Sequence, residues 1–200
     1  MDFYWIAFIM IFSTLFFLRL FFKLRAGLIK SLLTFTAEGI PTAFLRLTLE
    51  LFHFPAVFLH IFFPRLLPWM YLGLPPALKI TGLALAGLSL LLLFVSHLHL
   101  GGWFTTAVTV KADHRLIRSG PYRFIRHPMY VAYFGLFAGT LFFSENWVIG
   151  VSGILIMLSV MILRLPREEK ALADRFGREY EEYARTTPRF CPVPRARPVH

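Results

Sequence analysis

Three shortages narrow what this 200-residue chain can be. It has one cysteine, Cys191, so neither an internal disulfide nor a cysteine-based metal cluster can form. It has 11 acidic residues against 21 lysines and arginines, which gives a formal net charge of +10. It contains no glycine-rich phosphate loop and no serine nucleophile elbow. These absences argue against disulfide scaffolds, P-loop enzymes and serine hydrolases.

The histidines do not suggest a metal site either. His97 and His99 are two residues apart, and side chains at that spacing point to roughly opposite faces of a helix. No HxxxH or HxxHH pattern occurs elsewhere, which disfavours a membrane di-iron oxygenase. We therefore expect no bound metal.

Apolar side chains, by contrast, are abundant. Hydrophobic residues make up 57% of the chain and aromatic residues 17%, and the mean hydropathy is +0.64. A soluble domain cannot bury that much apolar surface. Several apolar runs approach the roughly 20 residues that a helix needs to cross a bilayer. The sequence therefore predicts an all-α integral membrane protein with a single membrane domain over residues 1–200.

Five transmembrane helices are expected from these runs. Their approximate bounds are Phe3–Phe22, Ala43–Phe63, Pro76–Leu98, Pro128–Phe143 and Trp147–Leu163, and a short turn at 144–146 joins the last two into a hairpin. Basic residues concentrate in the loop after the first span, in the loop 111–126 and in the tail. With five spans these segments share one side, which the positive-inside rule makes cytoplasmic, and the N-terminus faces out. We expect a bacterial inner-membrane protein.

The second span is unusual because it carries Arg46, Glu50, His53 and His60 on one helix face. Charged groups within a membrane usually face the bundle interior or a cavity. Arg46 and Glu50 are four residues apart and are able to pair. Ion pairing and interfacial anchoring explain this face better than a direct role in chemistry.

A further helix is expected after the last span. Pro166 followed by Glu168 and Glu169 is typical of a helix start. Four apolar residues then recur at spacings of four, four and three: Leu172, Phe176, Tyr180 and Tyr183. This pattern predicts a C-terminal amphipathic cytosolic helix that ends before Pro188. The final ten or so residues are expected to be extended or disordered.

Polar side chains gather at the start of the fourth span. Residues 120–130 read Gly-Pro-Tyr-Arg-Phe-Ile-Arg-His-Pro-Met-Tyr, and Pro128 is placed to open the helix. Exposed backbone N–H groups beside Arg123 and Arg126 suit a carboxylate or a phosphate. Anchoring of both arginines to lipid phosphates explains the same residues equally well.

A second polar cluster follows the fifth span. Arg164 precedes Glu168 by one helical turn, so a cation and an anion project together. The short hairpin brings the start of the fourth span and the end of the fifth to one membrane face. The cluster at His127 and the cluster at Arg164 and Glu168 should therefore meet. A ligand that carries both a carboxylate and an ammonium would suit this arrangement, whereas favourable acids at a helix start are the simpler explanation for Glu168 and Glu169.

Two linked motifs in this region resemble the isoprenylcysteine carboxyl methyltransferase family. The first is the stretch 116–122 followed by Arg-His-Pro-Met-Tyr at 126–130, and the second runs from Arg164 through Glu168-Glu169 to Tyr183. The resemblance covers about residues 100–190. It divides the chain into N-terminal spans at 1–100 and a methyltransferase-like half at 101–190, with a cofactor loop, a helical hairpin and a C-terminal helix. Ala132 stands where the family often has glycine.

The resemblance implies S-adenosylmethionine-dependent methyl transfer to a lipid-like or prenylcysteine-like acceptor at the cytosolic membrane face, with carboxylate O-methylation as the first choice. It implies that the catalytic residues are Arg164, which orients the acceptor's anionic group, and Glu168, which holds the cofactor's ammonium. The cofactor carboxylate would then lie at the N-terminus of the fourth span. The implied cofactor contacts are His114, Arg115, Leu116, Ile117, Tyr122, His127, Pro128, Met129, Tyr130, Glu168 and Glu169.

Other functions stay open on the sequence alone. A phospholipid N-methyltransferase or a thiol S-methyltransferase would differ mainly in the acceptor. Some NADPH-dependent membrane reductases share a similar C-terminal pattern, although two acids after Arg164 would repel a dinucleotide phosphate. A non-enzymatic membrane protein explains the spans but not two polar clusters that face each other. We expect membrane lipids and a hydrophobic acceptor as partners and no nucleic acid, because the bases follow membrane topology. The acceptor and the oligomeric state are not specified.

Overall fold

The structure is a computed structural model that describes residues 2–26, 40–64, 66–101 and 116–192. Its helices are α1 (Phe3–Ala26), α2 (Ile40–Phe62), α3 (Pro76–Leu100), α4 (Pro128–Ser144), α5 (Trp147–Phe176) and α6 (Arg178–Thr186). Short 3-10 helices at Pro68–Met70 and Gly120–Arg123 lie ahead of α3 and α4. Within these ranges the β structure is limited to an isolated bridge between Tyr71 and Asn146. The all-α prediction is confirmed.

Three helical segments are long and apolar enough to cross a bilayer: Phe3–Phe22, Pro76–Leu100 and Trp147–Phe176. Two further apolar helices, Leu47–Phe62 and Pro128–Ser144, are shorter. Large apolar side chains point outward along several of these helices, among them Phe16, Phe17, Phe52, Leu88 and Ile162. Such surfaces require a lipid environment. The chain is an integral membrane protein, and the count of five spans stays a prediction.

Helix α4 lies at the centre of the bundle. It packs most extensively against α3 and also contacts α5 and α1, while α2 packs on α5. The α3–α4 contact is close because Gly82 and Gly139 face each other's helix: a Cβ built on Gly139 would lie 2.6 Å from both the Ala86 nitrogen and the Gly82 oxygen. Small residues at such contacts let helix backbones approach in membrane proteins. This contact fixes the position of α4, whose first turn carries the candidate site.

The predicted hairpin between α4 and α5 is present, and its turn is tightly held. Glu145 has a φ of 59°, and its carboxylate accepts the Leu74 N–H at 2.6 Å and lies 2.6 Å from Lys79 Nζ. The Asn146 side chain caps α5 by accepting the Ile149 N–H at 3.2 Å. Because this turn is fixed, the opposite end of the hairpin places the start of α4 beside the later turns of α5.

Helix α2 is tied to its neighbours by its two histidines. His53 Nδ1 lies 2.9 Å from Ser152 Oγ on α5, and His60 Nδ1 lies 2.9 Å from the Tyr71 hydroxyl. Both rings are buried. Both histidines therefore have structural partners, which agrees with the structural explanation given above for the polar face of this helix. The expected pair of Glu50 with Arg46 involves a side chain, that of Arg46, outside the described residues.

The expected helix start at Pro166 is wrong. Helix α5 continues from Trp147 to Phe176 with Pro166 inside it. A proline removes one backbone hydrogen bond, but burial of Leu165 and the contacts of Glu169 described below hold the helical turns on either side. The explanation of Glu168 and Glu169 as acids at a helix start therefore fails.

The chain breaks instead at Gly177, whose φ of 51° is a conformation that favours glycine. The predicted apolar face is consequently shared between two helices, with Phe176 at the end of α5 and the buried Tyr180 and Tyr183 on α6. A single amphipathic helix over this range is wrong, because periodicity alone did not register the break at Gly177. The cytosolic location of α6 stays a prediction.

Candidate functional site

The segment that enters α4 is fixed from two directions. The backbone at Gly120 has a φ of 58°, and a Cβ there would collide with the His99 ring on α3. On the other side, the Tyr183 hydroxyl of α6 donates to the Tyr122 carbonyl at 2.6 Å. Both Tyr122 and Tyr183 are buried. These contacts link α3, the 3-10 turn and α6 immediately before the residues that carry polar chemistry.

His127 directly precedes α4 and is held by three groups. The residue is only 6% exposed, and its Nε2 lies 3.1 Å from Glu169 Oε1 on α5. The ring centroid is 5.8 Å from that of Tyr130 and 6.1 Å from that of Phe190. The imidazole is therefore fixed in position, between the first turn of α4 and the chain that follows α6.

Glu169 is the centre of an ionic cluster. Arg189 Nε donates to both carboxylate oxygens at 3.0 and 3.1 Å, and its Nη2 donates to Oε2. Arg126 Nη2 lies 3.4 Å from Oε1, the oxygen that also faces His127. The Glu169 side chain is 12% exposed, and its carboxylate raises the pKa of Arg189 above the usual value. This carboxylate is satisfied inside the protein.

Glu168 has different partners. The Tyr130 hydroxyl donates to Glu168 Oε2 at 3.1 Å, and Arg164 Nε lies 3.8 Å from the same oxygen. Consecutive residues of an α-helix point about 100° apart, so the two acids necessarily face different neighbours. The Glu168 side chain is 33% exposed. It is therefore the more accessible acid of the pair.

The two polar clusters predicted from the sequence do meet. The bond between Tyr130 and Glu168 and the contact between His127 and Glu169 join the start of α4 to α5. Of the other expected cofactor contacts, Pro128 and Met129 form the first helical residues between His127 and Tyr130, Tyr122 lies in the turn before them, and Leu116 and Ile117 are half-buried ahead of that turn. His114 and Arg115 lie outside the described residues.

Two backbone groups expected to face an anion are already used. The Arg126 N–H donates to the Pro188 carbonyl at 2.8 Å, and the His127 N–H donates to the Arg189 carbonyl at 3.1 Å. Pro128 has no N–H. The N–H groups of Met129 and Tyr130 belong to the first turn, where no preceding carbonyl of the helix can accept them. The anion site predicted at this helix end therefore cannot use the N–H groups of Arg126 and His127.

Sequence reasoning missed Arg189, Phe190 and the role of Tyr183. Arg189 lies 20 residues beyond Glu169, and no local spacing connects them. The available signal was indirect, since a buried carboxylate beside a histidine needs more positive charge than one turn of helix supplies. Burial also raises the pKa of Tyr183 to about 12, so this hydroxyl is a permanent donor at neutral pH.

Comparisons with known proteins show which family the chain is similar to. The sequence pattern of the isoprenylcysteine carboxyl methyltransferase family matches residues 81–174, which run from α3 through most of α5. Over this segment the chain is similar to that family. The matched segment contains His127, Tyr130, Arg164, Glu168 and Glu169, and it ends before α6 and the chain that follows it.

The relatives of the chain include two isoprenylcysteine methyltransferases and one metal-resistance protein. Human protein-S-isoprenylcysteine O-methyltransferase is 34% identical over 126 residues, which are 59% of this chain and 44% of the human protein. The Schizosaccharomyces pombe enzyme is 33% identical over 81 residues, which are 40% of this chain and 34% of that protein. Nickel-cobalt-cadmium resistance protein NccN of Alcaligenes xylosoxydans is 32% identical over 91 residues, which are 45% of this chain and 42% of that protein.

The fold is also similar to that of a solved family member. The structure of the eukaryotic intramembrane Ras methyltransferase superposes with a TM-score of 0.51 at 24% sequence identity, covering 74% of this chain and 50% of that one. The likeness concerns the membrane fold. The chain spans less than half of the human protein and about a third of the fission yeast protein in these alignments.

Proposed function

We propose that this protein is an S-adenosylmethionine-dependent methyltransferase that methylates the carboxylate of a lipid-like or prenylcysteine-like acceptor at the cytosolic membrane face. The observation that carries the proposal is the junction of α4 and α5, where Tyr130 bonds Glu168 beside the contact of His127 with Glu169. The names of the human and fission yeast relatives support the reaction class.

The charges at this junction fit the amino-acid part of the cofactor, which carries an ammonium and a carboxylate. The exposed third of Glu168 is suited to accept from the ammonium. The N–H group of Met129, in the first turn of α4, is suited to the carboxylate. Arg126 adds to this, because its Nε is buried and has no hydrogen-bond acceptor among the described residues. A buried donor without an acceptor is costly, and a bound anion would satisfy it.

The cofactor would supply an activated methyl group on a sulfonium. Its transfer to a carboxylate needs alignment of the two reactants more than proton transfer, so the protein's part is positioning. Arg164 lies one helical turn before Glu168. In the proposed orientation it would be nearer the bilayer, where an amphipathic acceptor would arrive. A guanidinium offers parallel N–H donors that match a carboxylate. This match between a guanidinium and a carboxylate favours carboxylate O-methylation over transfer to an amine or a thiol.

The proposed setting is a bacterial inner membrane, with the N-terminus outside and the C-terminus in the cytoplasm. The distribution of lysine and arginine supports this orientation, because the loop after the first span, the loop before α4 and the tail carry most of them. The two helix ends that form the proposed site, the start of α4 and the end of α5, would then face the cytoplasm, where the cofactor is present.

The proposal is tested by calorimetry on the purified full chain with S-adenosylmethionine and with NADPH. We expect binding of S-adenosylmethionine alone. Glu168→Gln should weaken it about ten- to hundredfold, since it removes a charge-assisted hydrogen bond. Glu182→Gln is the matched control, because Glu182 is an exposed acid on α6, and it should change nothing. Binding of NADPH instead, or equal affinity of the Glu168→Gln variant, would contradict the proposed function.

A further inference from the structure

After α6 the chain turns back along the start of α4. The Thr187 N–H donates to the Tyr183 carbonyl at 2.9 Å, and the next two carbonyls, of Pro188 and Arg189, accept the N–H groups of Arg126 and His127. Phe190 then lies against the His127 ring. We call residues 187–190 the tail strap. It covers the residues immediately before the helix that carries Tyr130.

Arg189 is the side chain that fastens the tail strap to α5. Its guanidinium donates to both oxygens of Glu169, an arrangement that requires the planar fork of arginine. A lysine has the charge but cannot donate in parallel from a rigid plane. Glu169 also contacts Arg126 and His127, so the pair joins the strap, the start of α4 and α5 in one cluster.

This attachment matters because α5 is locally weakened. Pro166 has no N–H to donate to the turn before it, so the helix lacks one backbone bond shortly ahead of Glu168 and Glu169. An external tie on Glu169 restrains the rotation of this turn about the helix axis. Since adjacent helical residues keep a fixed angle of about 100°, a restrained Glu169 also keeps Glu168 directed at Tyr130.

We infer that Arg189 is a positioning residue for cofactor binding, which acts through Glu169 to hold His127 and to direct Glu168. The inference rests on the proposed function, because the cofactor is what Glu168 would bind. Arg189 lies outside the segment 81–174 that the family pattern matches. The inference gives the C-terminal tail a role in positioning the candidate site.

Hydrogen exchange tests the structural step without any ligand. The full chain in lipid nanodiscs would be compared with Arg189→Ala, Arg189→Lys and the control Arg185→Ala, which alters an exposed arginine of α6. We expect the amides of Arg126 and His127 to exchange at least fivefold faster in Arg189→Ala, less so in Arg189→Lys, and at the parent rate in the control. Equal exchange in all four proteins would overturn the inference.

Cofactor affinity and steady-state kinetics test the functional step. We expect the Kd for S-adenosylmethionine to rise at least fivefold in Arg189→Ala, with partial recovery in Arg189→Lys. The acceptor KM at saturating cofactor should not change. A role in folding alone would instead lower the fraction of binding-competent protein and leave the Kd of that fraction at the parent value, and this result would overturn the inference.

The two proposals fail in different ways. If the parent protein does not bind S-adenosylmethionine, the proposed function is wrong and the cofactor role of Arg189 is wrong with it. If the parent binds and turns over while Arg189→Ala keeps the parent Kd, the inference alone is wrong. Faster exchange at Arg126 and His127 with an unchanged Kd would likewise overturn it, because the strap would then be attached by Arg189 without influencing the cofactor.

Discussion

Replacing Gly139 by alanine should force α3 and α4 apart. The new Cβ would lie 2.6 Å from the Ala86 nitrogen and the Gly82 oxygen and 2.9 Å from the Ala86 Cβ. Ordinary carbon contacts are about 3.5–4.0 Å, so the helices must separate by about 1 Å. Two of the three atoms belong to the backbone and cannot rotate away, as a side chain could.

The expected cost follows from two opposing terms. Overpacking of a tight contact costs typically about 1–3 kcal/mol, and rigid backbone neighbours favour the upper end of that range. Alanine in place of glycine in a helix returns about 1 kcal/mol. We therefore expect Gly139→Ala to destabilise the protein by about 2 kcal/mol. Because α4 would move, the 3.1 Å bond between Tyr130 and Glu168 should also weaken, and the affinity for S-adenosylmethionine should fall.

Gly87→Ala is the matched control. Gly87 lies on α3, and nothing approaches within 4 Å of a Cβ built on it. The same substitution there should be neutral or stabilising by up to about 1 kcal/mol. Thermal unfolding of parent and variants in one detergent, followed by tryptophan fluorescence, measures the difference. If Gly139→Ala and Gly87→Ala melt together, the close contact of α3 with α4 is not as described and the reasoning is refuted.

The remaining predictions concern topology, the acceptor and α6. Reporter tags at the N-terminus and at His200 should lie on opposite sides of the membrane, and finding both on one side would exclude five spans. Arg164→Lys should lower turnover more than tenfold while cofactor affinity changes little, and unchanged turnover with a genuine acceptor would remove this residue from the catalytic pair. Tyr183→Phe should lower the free energy of unfolding by about 1–2 kcal/mol, since the Tyr122 carbonyl loses a buried donor, and thermal unfolding measures this loss. Because the Tyr183 pKa is raised to about 12, its stabilising contribution is complete below pH 10 and is lost as the pH rises toward 12, so the parent and Tyr183→Phe should converge in stability at high pH.

Most of the fold follows from features that act locally. Continuous apolar runs predicted each helix of the bundle, and the short segment between Ser144 and Trp147 predicted the hairpin. The prediction at Pro166 failed because a local rule was applied where burial and ion pairing on both sides sustain the helix. Glycine at 177 was the stronger signal for a break, since its backbone conformation is one that other residues rarely adopt.

The candidate site was predictable to the extent that topology determines it. A tight hairpin necessarily places His127 near Glu168 and Glu169, and this proximity was expected. The different roles of the two acids were not, because they depend on the direction in which each side chain leaves α5. The attachment of Arg189 to Glu169 joins residues far apart in the chain, and no periodicity or spacing encodes such a contact.

The decisive measurement for the proposed methyltransferase is methyl transfer to a free carboxylate. The purified full chain in liposomes would be given S-adenosylmethionine with a tritium-labelled methyl group and N-acetyl-S-farnesylcysteine, with the corresponding carboxamide as the matched acceptor that lacks a carboxylate. We expect label to be incorporated into the acid alone and to be released as volatile methanol by alkali, as a methyl ester would be. We also expect the label to be lost in Glu168→Gln at low cofactor concentration. Label recovered in an alkali-stable product, on a lipid amine or on a thiol, or no transfer to the acid while S-adenosylmethionine binds, would contradict the proposed function.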